Sequence, residues 1–566
     1  MSNGSGVGTN CAGATVVTRC TSRTGVTTAI LAEGTACVVG AHAQVGHPGG
    51  HGFLSPQSSG QSLPHVSPSQ MTPVACPKAN SNTAIIRIRN TLAERTIANV
   101  VALLRGSLLA CLGVCACGGN RTPSDPLALT TLVDTNPDPT IVEVNLVASA
   151  GTLEYLPGER ADIWGYRDGS VDGSQPSVPG PMLVANQGDH VIVHFKNELP
   201  EETTIHWHGV RVPNDADGTD HTQTPVAPGD TFDYEFDVPD ASLFWYHPHL
   251  DGAVQVEKGL YAPLLVHGSD DIPVDAERVL VIDDVKLAAD GNLDPTTDNT
   301  DMMYGRQGNT LLVNGQVGAT LKVHAGARER WRIVDAANSR FFNLSLPGIS
   351  FLVIGFDGGL LPEPYETDTL LVAPGERYDV IVQLDGDPGA TFPLQTLYYD
   401  RAHGALPDPG PLDMMTVELG DPAAPIDPLP TTWGTLDPIP VDATTPTQRI
   451  TLHEDGAPPN MTFSINGEVY PNVTPIVAQS GSVAIWSVND DVGMDHPFHL
   501  HGMFFQVLDV NGVPPEHAGW KDTVIVPGYA TLRYAVRYGG PGHWMYHCHI
   551  LEHQEGGMMG VLELSP

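Results

Sequence analysis

The stretch Gly188-Asp-His-Val-Ile-Val-His-Phe-Lys-Asn197 alternates apolar and polar residues between a turn glycine and a polar end, the pattern of a half-buried β-strand. The same signature returns as Gly326-Ala-Arg-Glu-Arg-Trp-Arg-Ile-Val-Asp335 and as Gly481-Ser-Val-Ala-Ile-Trp-Ser-Val-Asn489. These glycines are 138 and 155 residues apart, which suits one Greek-key sandwich domain per copy. A Pro-Gly turn recurs later in each copy, at Pro228-Gly229, Pro374-Gly375 and Pro527-Gly528. The repeats predict an all-β fold of three consecutive Greek-key β-sandwich domains, at residues 136–270, 271–428 and 429–566, joined to what precedes them by a linker at 118–135.

The register of the repeat separates the copies by chemistry. Eighteen and twenty residues after its glycine, the first copy has His206 and His208 and the third has His499 and His501. The middle copy has Leu344 and Leu346 there. Residues two apart on a strand point to one side, so each outer copy aims two imidazoles in one direction. The middle copy reads as a spacer or wall.

Composition supports this layout. The 566 residues include 60 Gly and 49 Pro with only 16% charged residues, which argues against a helical bundle. A formal net charge of −38 excludes nucleic acid as a partner, because phosphate binding needs the opposite sign. The charge is unevenly spread. Residues 1–117 hold 7 Lys/Arg and 2 Asp/Glu, and the remainder holds 20 and 63, a formal −43.

Cysteine draws the same boundary. Cys11, Cys20, Cys37, Cys76, Cys111, Cys115 and Cys117 precede residue 118, and only Cys548 follows it, so no disulfide can form within the repeats. Residues 1–80, rich in Gly, Ser, Thr and Pro without periodicity, read as disordered. Next come Arg87, Arg89, Arg95 and Arg105, then an apolar run from Ser107 to Ala116 that is too short to span a membrane. This is the layout of a secretion signal. Val114-Cys115-Ala116-Cys117 is similar to a bacterial lipoprotein box, making Cys117 a candidate lipid attachment point, with Leu108-Leu109-Ala110-Cys111 a weaker one. A signal normally begins a chain, so translation is expected to start near Val100 or Val101; the alternative is a disordered extension before a buried apolar segment. A secreted, periplasmic or cell-envelope location follows, lipid-anchored if Cys117 is modified.

Four clusters hold the remaining chemistry: His206-Trp-His208-Gly, His247-Pro-His249, His496-Pro-Phe-His499-Leu-His501-Gly, and His547-Cys548-His549-Ile-Leu-Glu-His553 followed by Met558. One His-x-His pair proves little, but three pairs and a His-Cys-His at matching places in two repeats point to metal. One thiolate, two imidazoles and a distant thioether form the trigonal set that favours copper in electron transfer, and Cys548, His496, His553 and Met558 fit it. On a strand, His547 and His549 face opposite to Cys548, so one peptide unit on each side would link that copper to a second site. Eight histidines remain, four from each outer copy, and suit a cluster between the first and third domains.

In this order the four motifs resemble those of the three-domain multicopper oxidases: laccases, bilirubin oxidases and bacterial cuprous oxidases. The resemblance spans roughly residues 136–566 and includes Asp217-Gly218, Thr222-Gln223-Thr-Pro-Val-Ala-Pro-Gly229, Leu312-Val-Asn-Gly315 and Lys521-Asp-Thr-Val-Ile-Val-Pro527. It implies cupredoxin-like domains and four copper ions. His206 and His499 would hold the type 2 copper, and His208, His247, His249, His501, His547 and His549 the binuclear type 3 pair. It also implies four one-electron oxidations of a small reducing substrate per O2 reduced to two waters. Reducing O2 consumes four protons, and Asp217 matches the family's acid near the type 2 copper. Bacterial members often carry glutamate after the last type 1 histidine, where this chain has Gln554, which cannot ionise. Glu552, Glu555 or water would substitute.

Three readings follow: a laccase-like oxidase of phenols, a metal-ion oxidase acting on Cu(I), Fe(II) or Mn(II), and a non-enzymatic copper-binding relative. The complete ligand set disfavours the last, and the absence of a methionine-rich insert disfavours a cuprous oxidase. The laccase-like reading is preferred, in a monomer. Met302-Met303 and Met414-Met415 read as core or loop methionines, and His190, His194, His221, His267, His324, His403, His453, His517 and His543 as ordinary residues.

Overall fold

The computed structural model describes residues 125–270, 272–294, 296–402 and 407–566. The signal-like segment, Cys117, residues 118–124 and His403 lie outside the described residues.

The described chain is almost entirely β, as the alternating strands predict, and its six sheets form three pairs. The first pair combines a sheet of Glu159–Asp168, Ile141–Leu156, His190–Glu198 and Thr231–Asp237 with one of Leu183–Asn186, Ala262–His267, Leu243–His247 and His206–His208. Val191, Val193 and Phe195 from one sheet and Trp207, Tyr246 and Leu264 from the other share one buried core. The middle pair has sheets of six and five strands, and the third has two of five.

The repeated sequence features mark the same two strands in every copy. His190–Glu198 runs parallel to Ile141–Leu156 and antiparallel to Thr231–Asp237, the strand after Pro228-Gly229. Ala327–Asp335 has the same two relations, to Ala276–Val285 and to Arg377–Leu384. Val483–Asp490 repeats them with Thr447–Asp455 and Thr531–Arg537. A parallel neighbour within an otherwise antiparallel sheet requires a long crossover, which is why each copy needs well over a hundred residues.

Burial shows where the copies differ. The strands His190–Glu198 and Val483–Asp490 alternate between buried and partly exposed residues, one face in the core. Ala327–Asp335 is buried on both faces. Trp331 and Ile333 fill the middle core, while Val334 joins an apolar cluster with Leu243, Trp245 and Leu265 of the first copy. The stretch ahead of the first strand is also packed. Leu127 enters the middle core and Leu132 the first, and the Asn314 side chain donates to the Leu127 carbonyl at 2.7 Å.

Candidate metal centre

Cross-strand pairing aligns the histidines. In the third copy, His496–Leu500 lies antiparallel to Gly542–Cys548, with His499 opposite His547 and Phe498 opposite Cys548. Opposed residues share a face, so His499 and His547 turn one way while Phe498 and Cys548 turn into their own core. The first copy pairs His206 with His247 and His208 with Trp245.

Eight imidazoles from the two outer copies meet in one buried space, each at most 6% exposed. Donor atoms of His208, His247 and His549 converge within 4.8 Å of one another, as do those of His249, His501 and His547. In the second trio, His547 Nε2 lies 3.1 Å from His501 Nε2 and 3.3 Å from His249 Nε2. His206 and His499 form a further group with His208. Burial first, then the neighbouring imidazoles, holds His208, His247, His249, His501, His547 and His549 far below their ordinary pKa, which keeps them neutral. A neutral imidazole is the metal-binding form.

The opposite ring nitrogens fix which atom carries the lone pair. Nδ1 of His206, His247, His499 and His547 each lies 2.9 Å from a backbone carbonyl, of Asp217, Pro248, Asp522 and Cys548 respectively. A carbonyl only accepts, so Nδ1 carries the hydrogen and Nε2 presents a lone pair to the shared space. Nε2 of His206, His247 and His499 has no hydrogen-bond partner. His208 is reversed: Nε2 is held by Asp522 and Thr523, and Nδ1 is the unpartnered atom. Buried polar atoms without partners are costly and rare in native proteins. Several aimed at one another form a donor set that fits metal cations.

Two carboxylates brace this set. Asp217 is fully buried, with Oδ2 2.9 Å from His501 Nδ1 and Oδ1 3.4 Å from His206 Nδ1. Asp522 accepts a two-pronged bond from Arg377 of the middle copy, at 2.6 and 2.5 Å, and lies 3.2 Å from His208 Nε2. Arg377 also donates to the Leu243 carbonyl, so all three copies meet there. The middle copy thus does more than space the others. Gly209, after the His-Trp-His run, has φ +85°, and a Cβ there would stand 2.3 Å from an Arg377 nitrogen. Only glycine permits both that backbone and that approach.

Cys548 and Met558 sit in the third core, where the Cys548 N–H donates to the Met558 carbonyl at 3.1 Å and the thiol accepts from Ile550 N–H at 3.3 Å. His496 and His553 converge with Glu454, which motif spacing gave no means of finding. His496 Nδ1 lies 2.6 Å from Asp490 and Nε2 3.2 Å from Glu454. Burial opposes a charge on His496, but the two carboxylates override it and raise its pKa to about 9. Burial pushes the Cys548 thiol up. His553, on the short helix Leu551–Glu555, stacks on Phe463 and reaches the Met303 carbonyl at 3.2 Å.

The other carboxyls in this region are separated. Glu552 is held by Asn338 at 3.0 Å, Glu555 accepts from Gly252 N–H at 2.7 Å, and Gln554 is buried. Met414 and Met415 are core residues of the middle sandwich. His190, His194 and His453 rest against carboxylates at partly exposed positions. Next to Met303, whose carbonyl His553 reaches, Tyr304 enters the lining of a cavity of about 260 Å³, with Phe341, Tyr398, Tyr399, Arg340 and Arg401.

Stacked cupredoxin-like sandwiches around buried imidazole clusters define a class of metal-dependent oxidoreductases, and comparison with known proteins narrows it. Family models described as multicopper oxidase match residues 161–271, 283–404 and 441–566. The chain is 31% identical to a multicopper oxidase of Mycobacterium tuberculosis, MmcO, over 68% of its own length and 82% of the relative's. It is 27% identical to a laccase of Bacillus subtilis over 72% and 91%. Among solved structures, a multicopper oxidase from Campylobacter jejuni titled a metallo-oxidase superposes with a TM-score of 0.69 at 30% identity, covering 78% of this chain and 94% of that one. A laccase from Pediococcus acidilactici gives 0.68 at 31%, covering 80% and 95%. This chain belongs to the multicopper oxidase family.

Proposed function

We propose that the chain is a laccase-like oxidase that takes single electrons from phenolic or similar small donors and reduces O2 to water. The observation that carries this reading is the pair of buried imidazole trios, one containing His547 and the other His549, with the buried Cys548 between these two residues in the chain. Cys548, His496, His553 and Met558 would hold the type 1 copper, and His206 with His499 the type 2. His208, His247 and His549 would hold one type 3 ion, and His249, His501 and His547 the other. Bound copper supplies one-electron acceptance at the sulfur site and four-electron delivery to O2 at the cluster.

The protein's own groups do the rest. Backbone carbonyls and Asp522 fix the tautomers of His206, His208, His247 and His499, so these four rings need not reorient when a cation arrives. The proton on His496 that Asp490 and Glu454 favour must leave for its nitrogen to bind copper. Asp217, with Oδ1 free of hydrogen bonds, is assigned to hold and pass protons, with Glu552 and Glu555 as secondary carboxyls. Phenols are favoured as donors because an aromatic-walled cavity opens beside His553. The signal-like segment supports a location outside the cytosol.

The test is O2 uptake by the copper-loaded protein with a methoxyphenol, Cu(I), Fe(II) or Mn(II) as sole donor. Phenol turnover at least tenfold above the metal ions is expected. A tenfold preference for any of the metals would replace this reading by the metal-ion oxidase.

A further inference from the structure

The cavity beside His553 has a charge that the rest of the molecule does not predict. Arg401 is 6% exposed and gives two of its N–H bonds to the backbone carbonyls of Ser339 and Tyr304, at 3.0 and 2.8 Å. No carboxylate forms an ion pair with it among the described residues. The acids nearby are otherwise engaged. Asp495 accepts from Tyr399 at 2.6 Å and from Gly528 N–H at 2.8 Å, and Asp400 is exposed at the rim, where it accepts from Ala402 N–H at 2.9 Å. The second guanidinium in the lining, Arg340, is already paired with Asp284. A buried, unpaired cation is expensive, and it persists where it has an anion to meet.

The walls suit a ring. Phe341 lies under Arg401, 5.1 Å from guanidinium carbon to ring centre, and stacks on Tyr399 at 5.7 Å and 16°. Tyr304 and Tyr398 add two further rings, and about 260 Å³ holds one substituted benzene. The cavity lining comes within one residue of His553 and of His496. The Met303 carbonyl, one residue from Tyr304, lies 3.2 Å from His553 Nε2, and Tyr399 bonds to Asp495, the residue before His496.

We propose that this cavity is a donor site selective for phenols that carry a carboxylate, with Arg401 recognising the anion and the Phe341 and Tyr399 rings holding the aromatic face. This rests on the phenol-oxidase reading and adds a substrate class to it. The surface makes the selectivity unusual. A net charge of −38 repels anions at long range, so preference for an acid must arise locally at Arg401. Burial, with help from Arg340, lowers the Arg401 pKa to about 10, which still leaves it charged at neutral pH.

The experiment compares 4-hydroxy-3-methoxyphenylacetate with its methyl ester on the copper-loaded full chain. The methylene insulates the ring, so the two differ in charge and little in ease of oxidation. The wild type should favour the acid at least tenfold in kcat/KM, and Arg401→Gln should reduce that ratio at least tenfold. The ratio does not depend on how much variant folds. If the variant yields no protein, phenylacetate should still compete with the ester on the wild type while phenylacetamide does not. Equal kcat/KM for acid and ester, or no competition by phenylacetate, overturns the proposal. If neither phenol is oxidised, the phenol-oxidase reading fails instead, and calorimetric binding of phenylacetate against phenylacetamide decides the anion site on its own.

Discussion

Replacing Arg377 with methionine isolates the contact that joins the three copies. Arg377 and Asp522 are each 1% exposed and form a two-pronged ion pair, and Asp357 is 3.7 Å away. Methionine fills much the same space but leaves Asp522 as a buried charge without its main partner. Removing one member of a buried pair costs about 3–5 kcal/mol. Spread over about 440 residues at about 2.1 cal/mol/K each, this lowers Tm by about 3–5 °C at pH 7. The pH dependence separates charge from packing. In the wild type, burial opposes the Asp522 carboxylate, but Arg377's charge and hydrogen bonds, with His208 and His499, hold its pKa well below the ordinary range. A depressed folded pKa contributes stability above the unfolded value, about 3.9, and loses it only as pH falls through the folded value. Without Arg377, burial dominates and the folded pKa rises. Stability is then greatest below about 3.9 and falls as pH climbs through the raised value. The Tm gap between wild type and Arg377→Met should therefore be widest at neutral pH and narrow toward pH 4. Scanning calorimetry of both proteins across that range measures it. A gap of the same size at every pH would mean that the loss is packing alone, and the ion-pair account would be wrong.

Cys548→Ser should abolish the blue absorption of the copper-loaded protein, which thiolate-to-Cu(II) charge transfer produces, together with donor oxidation; a blue, active variant would remove Cys548 from the electron path. Asp217→Asn should slow reoxidation of the fully reduced enzyme by O2 about 10²-fold or more in rapid mixing, within the range of general acid–base assistance; reoxidation at the wild-type rate would show that protons reach the cluster by another route. A chain beginning at Gly118 should load copper as the full chain does. One beginning at Asn136 loses the burial of Leu127 and Leu132, about 1.5–3 kcal/mol each, and should melt measurably lower in a thermal scan; equal melting of the two would show that residues 125–135 add nothing to the core.

The parts of this protein that could be read from sequence are those written in local periodicity. The glycine-led strands and Pro-Gly turns recur because each copy must make the same parallel and antiparallel pairings. The histidines stand out because period-two spacing forces them to one face, whatever lies opposite. What remained hidden joins residues far apart in the chain. Asp522 sits inside a segment whose resemblance was visible, yet its work is done on Arg377, 145 residues before it, and on His208, 314 residues before it. No spacing rule reaches that far. Glu454 is one acid among 65, distinguished only when its strand brings it against His496 and His553. Arg401 is harder still, since its meaning lies in having no carboxylate partner among the described residues, and pairing can be judged only once the neighbours are in place. The middle copy illustrates the same point. With leucines where its neighbours carry histidines, it reads as a wall, and Leu344 does go to its core. But Gly375 of its Pro-Gly turn packs so close to His208 and His549 that a Cβ there would stand about 3.0 and 2.9 Å from their rings. Two residues on, Arg377 holds Asp522, and Phe341 and Arg401 line the cavity beside His553. The copy with leucines in place of histidines thus packs against the imidazole cluster through Gly375 and Arg377 and, on the proposal above, sets selectivity at the cavity through Phe341 and Arg401.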